Sequence, residues 1–157
     1  MFAPLFATRP DWTGPLLRLA LGGVMWAHGA QKLLGWFGGY GFSGTMKFFT
    51  DAVHLPWLLG LLVIVIEFFG ALNVLVGLAS RLWAALLAVL TLGIVSTSHL
   101  QNGFFMNWFG NQKGEGYEYF LLVLGLAGAL LVNGSGRFSV DGLLQGPVQR
   151  RAASAAA

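Results

Sequence analysis

Hydrophobic residues run along this chain in four long blocks, separated by polar, aromatic and glycine-rich stretches. The blocks extend from about Pro15 to Phe37, from Pro56 to Leu78, from Arg81 to about Gln101 and from about Glu115 to Asn133. A helix that crosses a bilayer needs roughly 20 residues. The fourth block holds only fourteen uninterrupted apolar residues, Tyr119 to Val132, and spans only if Glu115 to Glu118 join it. The pattern predicts an all-α, integral membrane four-helix bundle with interfacial glycine/aromatic loops.

Start and stop signals agree with this division. Asp11, Thr13 and Gly14 precede Pro15, a favourable first-turn arrangement, and Pro56 opens the second block in the same way. Ala79-Ser80 leaves room only for a tight turn, so the second and third helices are expected to be adjacent and antiparallel. The other two connections, GWFGGYGFSGTMKFFTDAVHL and NGFFMNWFGNQKGEGYEY, are rich in Gly, Phe, Trp and Asn. They read as interfacial caps. The transmembrane domain is expected over 1–142 and a flexible tail over 143–157, disordered from about Gly146.

Composition turns this pattern into a membrane assignment. The chain is 56% hydrophobic and only 10% charged, against about 25% charged in soluble domains. The absence of cysteine excludes disulfides, thiolate metal sites and Cys-ligated clusters. The net charge of +3 comes without a basic stripe of interleaved aromatics, so nucleic acid is not an expected partner. The N-terminal MFAPLFATRPDWTGP lacks the regions of a signal peptide. It is expected to be retained, with Phe2, Leu5 and Phe6 on the membrane surface. Arg9, Arg18, Arg81, Arg137, Arg150 and Arg151 fall on one side of the predicted topology, and Lys32, Lys47 and Lys113 on the other. The positive-inside rule then places both termini in the cytoplasm of a multi-pass inner-membrane protein.

Glu67 sits in the middle of the most apolar block, PWLLGLLVIVIEFFGALNVLVGL. A carboxylate there costs about 2.5–3.5 kcal/mol on insertion scales unless it is paired, protonated or wetted. The other blocks carry Arg18, His28 and Lys32, then His99, then Glu118. At about 100° per residue, His28 and Lys32 share a face with Arg18, Gly22, Met25 and Gly29. Glu67 shares one with Gly60, Gly70, Ala71 and Gly77, His99 with Ala85, Ala88 and Ser96, and Glu118 with Gly125, Gly128 and Ala129. Small residues mark close helix approach, so all five groups are expected to line the interior. His28, Lys32, Glu67, His99 and Glu118 form the candidate ligand site, with Trp36, Phe104, Phe105 and Trp108 as its cap. No catalytic residue and no metal ligand is assigned.

Each member also has a purely structural reading. Glu67 paired with Lys32 or His28 would fix helix register. His99 would cap helix C-terminal carbonyls, Glu118 would favour a helix N-terminus, and Lys32 would snorkel to headgroups. Three functional readings stand beside these. A quinone site would use imidazole and carboxylate to bind carbonyls and move protons. Haem or metal ligation would use His28 and His99, without any signature such as CxxCH. A proton-coupled solute path would titrate Glu67.

The ordered series RLALGGVMWAHGAQKLLG, Glu67-Phe-Phe-Gly70-Ala-Leu, Gly77-Leu-Ala-Ser-Arg81, His99…Asn102-Gly103-Phe-Phe, Glu118-Tyr119 and Gly136-Arg-Phe-Ser139-Val-Asp141-Gly142 resembles the DoxX family of small four-helix membrane proteins. The likeness covers roughly Leu16 to Gly142. It implies a four-helix membrane fold and a place beside quinone-linked oxidoreduction, as an accessory subunit with quinone as cofactor. It also implies the lipid bilayer and other membrane subunits as partners. His28, Lys32, Glu67, His99 and Glu118 match the family's recurring polar positions. The alternatives are an assembly subunit without ligand and a proton-coupled transporter.

Overall fold

The structure, a computed structural model, describes residues 5–145. Phe2, the tail from Gly146 onward and the charges of Arg150 and Arg151 lie outside the described residues. Every regular element among the described residues is a helix. The long ones are α1 (Thr13–Leu34), α3 (Trp57–Val76), α4 (Ser80–Asn102) and α5 (Glu118–Asn133). The short ones are α2 (Gly41–Lys47), prolonged by a π turn over Phe48–Ala52, and α6 (Val140–Leu144).

The ends follow local chemistry. The Gly14 amide donates to Asp11 Oδ1 at 3.1 Å, which satisfies one free donor at the start of α1. Gly35, with φ 75°, ends α1, and Gly77, with φ 73°, ends α3. At α5 the expected boundary moves. Residues 115–117 belong to the preceding loop, because the amides of Tyr117 and Glu118 donate to the carbonyls of Gly103 and Phe104. Those bonds leave a 16-residue helix. The interval read as a cap after α1 contains α2, which buries Thr45 and Met46.

Among the described residues, α3 and α4 are long and apolar enough to cross a membrane. Their residues are mostly not buried: 33% of the α3 window and 17% of the α4 window lie inside the protein. The core helix of a soluble domain would be mostly buried. Here the outward faces carry Leu58, Leu62, Leu72, Val89 and Leu92, all exposed. Exposed apolar faces of this extent mark contact with lipid or with a partner.

α1 packs against α3 and α5, and α4 packs against α5 and α3. The shared core consists of Leu21 and Met25 from α1, Ala71 and Val74 from α3, Ala84 and Leu87 from α4, and Val123, Ala127 and Leu130 from α5. Alanines at three of these positions, Ala71, Ala84 and Ala127, let the backbones approach closely, as in packed membrane helices.

At one end the segments before α1 and around α6 are stitched to the α3–α4 turn. Asp141, 1% exposed, accepts from the amides of Ala79 at 2.6 Å and Ser80 at 3.1 Å, and from the Ser135 hydroxyl. Arg18, 4% exposed, donates to the carbonyls of Leu75, Arg137 and Phe138. Gln145, beyond α6, donates to the carbonyls of Phe6 and Thr8. The helix α6 thus runs across the expected domain boundary at residue 142.

Candidate functional site

The site begins with a close approach of two backbones. Gly29 of α1 sits against α3 where a side chain would meet the Phe68 amide nitrogen and the Glu67 carbonyl carbon at about 2.5–2.6 Å. That contact brings the last turn of α1 alongside the middle of α3. Lys32, one turn further along α1, reaches across, and its Nζ lies 2.5 Å from Glu67 Oε2. Glu67 is 2% exposed, while the Lys32 side chain keeps 25% of its surface open. The charge-assisted bond offsets part of the cost of burying the carboxylate.

Glu67 lies inside a π turn over Ile66–Gly70. Such single π turns within α-helices occur frequently at functional sites. Among the described residues, Lys32 is the donor to Glu67 Oε2, and Oε1 receives no hydrogen bond.

His28 shares the flank of Lys32 but does not join the ion pair. It is exposed, and its ring lies 6.2 Å from that of Tyr119. Tyr119, on the first turn of α5, was not among the residues picked out by sequence. Its ring packs against the core, and its hydroxyl is buried without a hydrogen-bond partner. The available signal was a single phenol at the head of an apolar run, directly after Glu118.

His99 and Glu118 are occupied by the loop between α4 and α5. His99 Nδ1 is 2.8 Å from the Glu115 carbonyl oxygen, and its ring stacks 4.4 Å from Phe120. Asn102 also donates to the Glu115 carbonyl. Glu118 Oε1 accepts from the Met106 amide and from the Trp108 indole Nε1, both at 2.9 Å. Glu115 Oε2 accepts from the Asn107 amide at 2.7 Å. These groups hold the loop in one shape.

The aromatic cap residues are exposed: Trp36, Phe104, Phe105 and Trp108. Trp36 meets Trp26 edge-on at 6.0 Å, and Phe104 meets Phe105 and Tyr117. Trp108 touches the site region through its indole N–H to Glu118.

Helical phase succeeds for the small residues of two helices and fails on two, and on α1 it misplaces His28, which is exposed. On α1, Arg18, Gly22, Met25 and Gly29 are all buried, and on α3, Gly60, Glu67, Gly70 and Ala71 are buried. On α5 the buried face is Val123, Ala127 and Leu130. Gly125 and Ala129 are exposed, and Cβ atoms at Gly125 and Gly128 would meet nothing within 4 Å. On α4 the buried face is Ala84, Leu87 and Thr91, and Ser96 is exposed. Packing on these two helices is carried by alanine and branched side chains, so their smallest residues are free to face outward. A π turn over Val95–His99 also breaks the regular period before His99.

No group of three or more His, Asp or Glu side chains among the described residues could hold a metal ion. A surface depression lined by Ser96, Thr97, Leu100 and Gln101 lies on the C-terminal part of α4, and Glu67 is not among its lining residues.

The model of the DoxX family matches residues 15–100, which include Arg18, His28, Lys32, Glu67 and His99. A Bacillus subtilis (strain 168) protein named "Putative oxidoreductase CatD" is 30% identical over 115 residues, covering 73% of this chain and 75% of that protein. No solved structure matches. The matched span contains both partners of the buried ion pair and the glycine that lets them meet, and the chain belongs to the DoxX family.

Proposed function

We propose that the protein is a multi-pass inner-membrane subunit of a quinone-linked redox complex. In this reading α1, α3, α4 and α5 all cross the bilayer, both termini lie in the cytoplasm, and the α4–α5 loop lies outside. Other membrane subunits supply the electron-transfer chemistry. Lys32, Glu67 and His28 bind the head of a quinone and handle its protons. His99 and Glu118 act on the site by fixing the loop above it.

The observation that carries this reading is the Lys32–Glu67 ion pair at 2.5 Å, whose carboxylate is buried in the most apolar helix of the chain. Burying an ion pair costs about as much as the attraction returns, and a hydrophobic pair of similar volume often serves stability as well or better. Intramembrane ionisable groups are expensive and mark functional paths. The residues fit a quinone in one further respect. The unpartnered Tyr119 hydroxyl and the undonated Glu67 Oε1 leave one donor and one acceptor for a ligand bearing oxygen. The relative's name points to oxidoreduction as well. When bound, a quinone would supply two-electron, two-proton redox chemistry.

The test is quinone retention. Purified in mild detergent with its partner subunits, the protein is expected to carry quinone detectable by extraction. Glu67→Gln is expected to lose it while expression is maintained. Retention of quinone at the wild-type level in that variant would refute the role of Glu67.

A second reading is favoured by the same contact. Lys32 and Glu67 meet where Gly29 already fixes the helix spacing, so the pair could serve only to set register. That reading expects no quinone and full assembly when the pair is replaced by apolar residues.

A further inference from the structure

The Tyr119 hydroxyl is a buried donor without a partner. It belongs to a half-buried residue whose ring is locked on three sides: by the core, by Phe120 at 5.2 Å and by His28 at 6.2 Å. Almost all buried polar groups are hydrogen-bonded, and each exception calls for an explanation. Here the explanation lies close by. Tyr119 faces His28, whose neighbour Gly29 sits on the backbone of Glu67, yet no hydrogen bond joins the hydroxyl to Glu67, whose Oε2 accepts from Lys32. The seam between α1 and α5 is covered by His28, which is exposed and makes no hydrogen bond among the described residues.

A phenol held this way keeps one donor free at a fixed position. An acceptor oxygen entering past His28 would meet it. A ring bearing carbonyl oxygens supplies such an acceptor.

We infer that Tyr119 is a ligand-binding residue of the Glu67 site, donating its hydroxyl proton in a hydrogen bond to a ring carbonyl oxygen of a quinone that enters between α1 and α5 past His28. This rests on the quinone reading above and adds to it the residue that holds the carbonyl.

The experiment uses the full chain in detergent micelles, with ubiquinone-1 and menadione as probes, and compares wild type with Tyr119→Phe. The substitution keeps the ring and removes only the hydroxyl. Binding of at least one probe is expected to weaken about fivefold to tenfold, the effect of one hydrogen bond. The thermal midpoint of the ligand-free variant is expected to equal or exceed that of wild type, because an unpaired buried hydroxyl is removed. Equal affinity in wild type and variant would overturn the assignment of Tyr119 and leave the quinone site standing. A lowered midpoint without ligand would also overturn it, by showing that the hydroxyl bonds within the protein. Failure of both probes to bind folded wild-type protein would overturn the quinone reading and this inference with it.

Discussion

Gly29 of α1 touches the backbone of α3 at Glu67 itself, and this contact sets the reach of Lys32 to its partner. A side chain at Gly29 would overlap main-chain atoms, which cannot rotate away. Gly29→Val is therefore expected to push α1 from α3. A loss of about 1–3 kcal/mol is expected from overpacking. Thermal unfolding in detergent checks the stability, and quinone retention should fall in parallel.

The ion pair makes a second prediction through a double-mutant cycle. Lys32→Met alone leaves a buried carboxylate without its cation and is expected to cost about 3–5 kcal/mol. Adding Glu67→Leu to Lys32→Met should return most of that stability, because no charge remains to be solvated. The cycle separates stability from function: the double variant should fold yet fail to retain quinone. A double variant as unstable as the single one would contradict this.

At the other end Asp141 holds three donors: two amides of the α3–α4 turn and the Ser135 hydroxyl. Asp141→Ala strands the Ser80 amide in a buried position. At about 1–3 kcal/mol for each buried group left unsatisfied, a large drop in thermal midpoint is expected. Asp141→Asn, which keeps one acceptor oxygen, should fall between Ala and wild type.

Glu118 ties the α4–α5 loop to the start of α5. Glu118→Gln replaces one oxygen by an amide and weakens the bonds to the Met106 amide and the Trp108 indole. Hydrogen exchange over residues 103–117 is expected to speed up about tenfold, the equivalent of 1.4 kcal/mol of local opening. Exchange within the core of α1 should be unchanged.

The chain has no cysteine, so single introduced thiols report topology without background. Lys113→Cys is expected to react with an impermeant maleimide added to intact cells. Arg137→Cys should react only after the membrane is opened. The reverse pattern would invert the assigned orientation.

Sequence made the helices legible because their ends carry local signals: Asp11 before α1, Pro56 before α3 and the tight Ala79-Ser80 turn, whereas the glycine stops at Gly35 and Gly77 came only with the structure. It also marked Lys32 and His28 as candidate partners of Glu67, because a charge in an apolar run has few ways to be tolerated, and the structure pairs it with Lys32. The inward faces of α1 and α3 followed from the periodicity of their glycines. The faces of α4 and α5 did not, since a small residue marks a place where packing can be close, and alanine supplied that closeness elsewhere. His99 and Glu118 were seen as polar groups near one end, but their partners are loop carbonyls and amides up to 16 residues away. Backbone partners leave no trace in composition. Tyr119 was not singled out, because only the three-dimensional structure reveals its missing partner. Arg18 looked isolated because its acceptors are main-chain carbonyls, two of them more than a hundred residues away in sequence.

Asp141 has a consequence for biosynthesis. It is contributed by the last described helix, yet it terminates hydrogen bonds from a turn about sixty residues earlier. While the ribosome is still making α5, the Ala79 and Ser80 amides and two of the three Arg18 bonds await partners that have not been translated. The turn between α3 and α4 is latched only when Asp141 emerges. A nascent chain stopped short of Asp141 is thereby distinguishable, by an open turn, from a finished one.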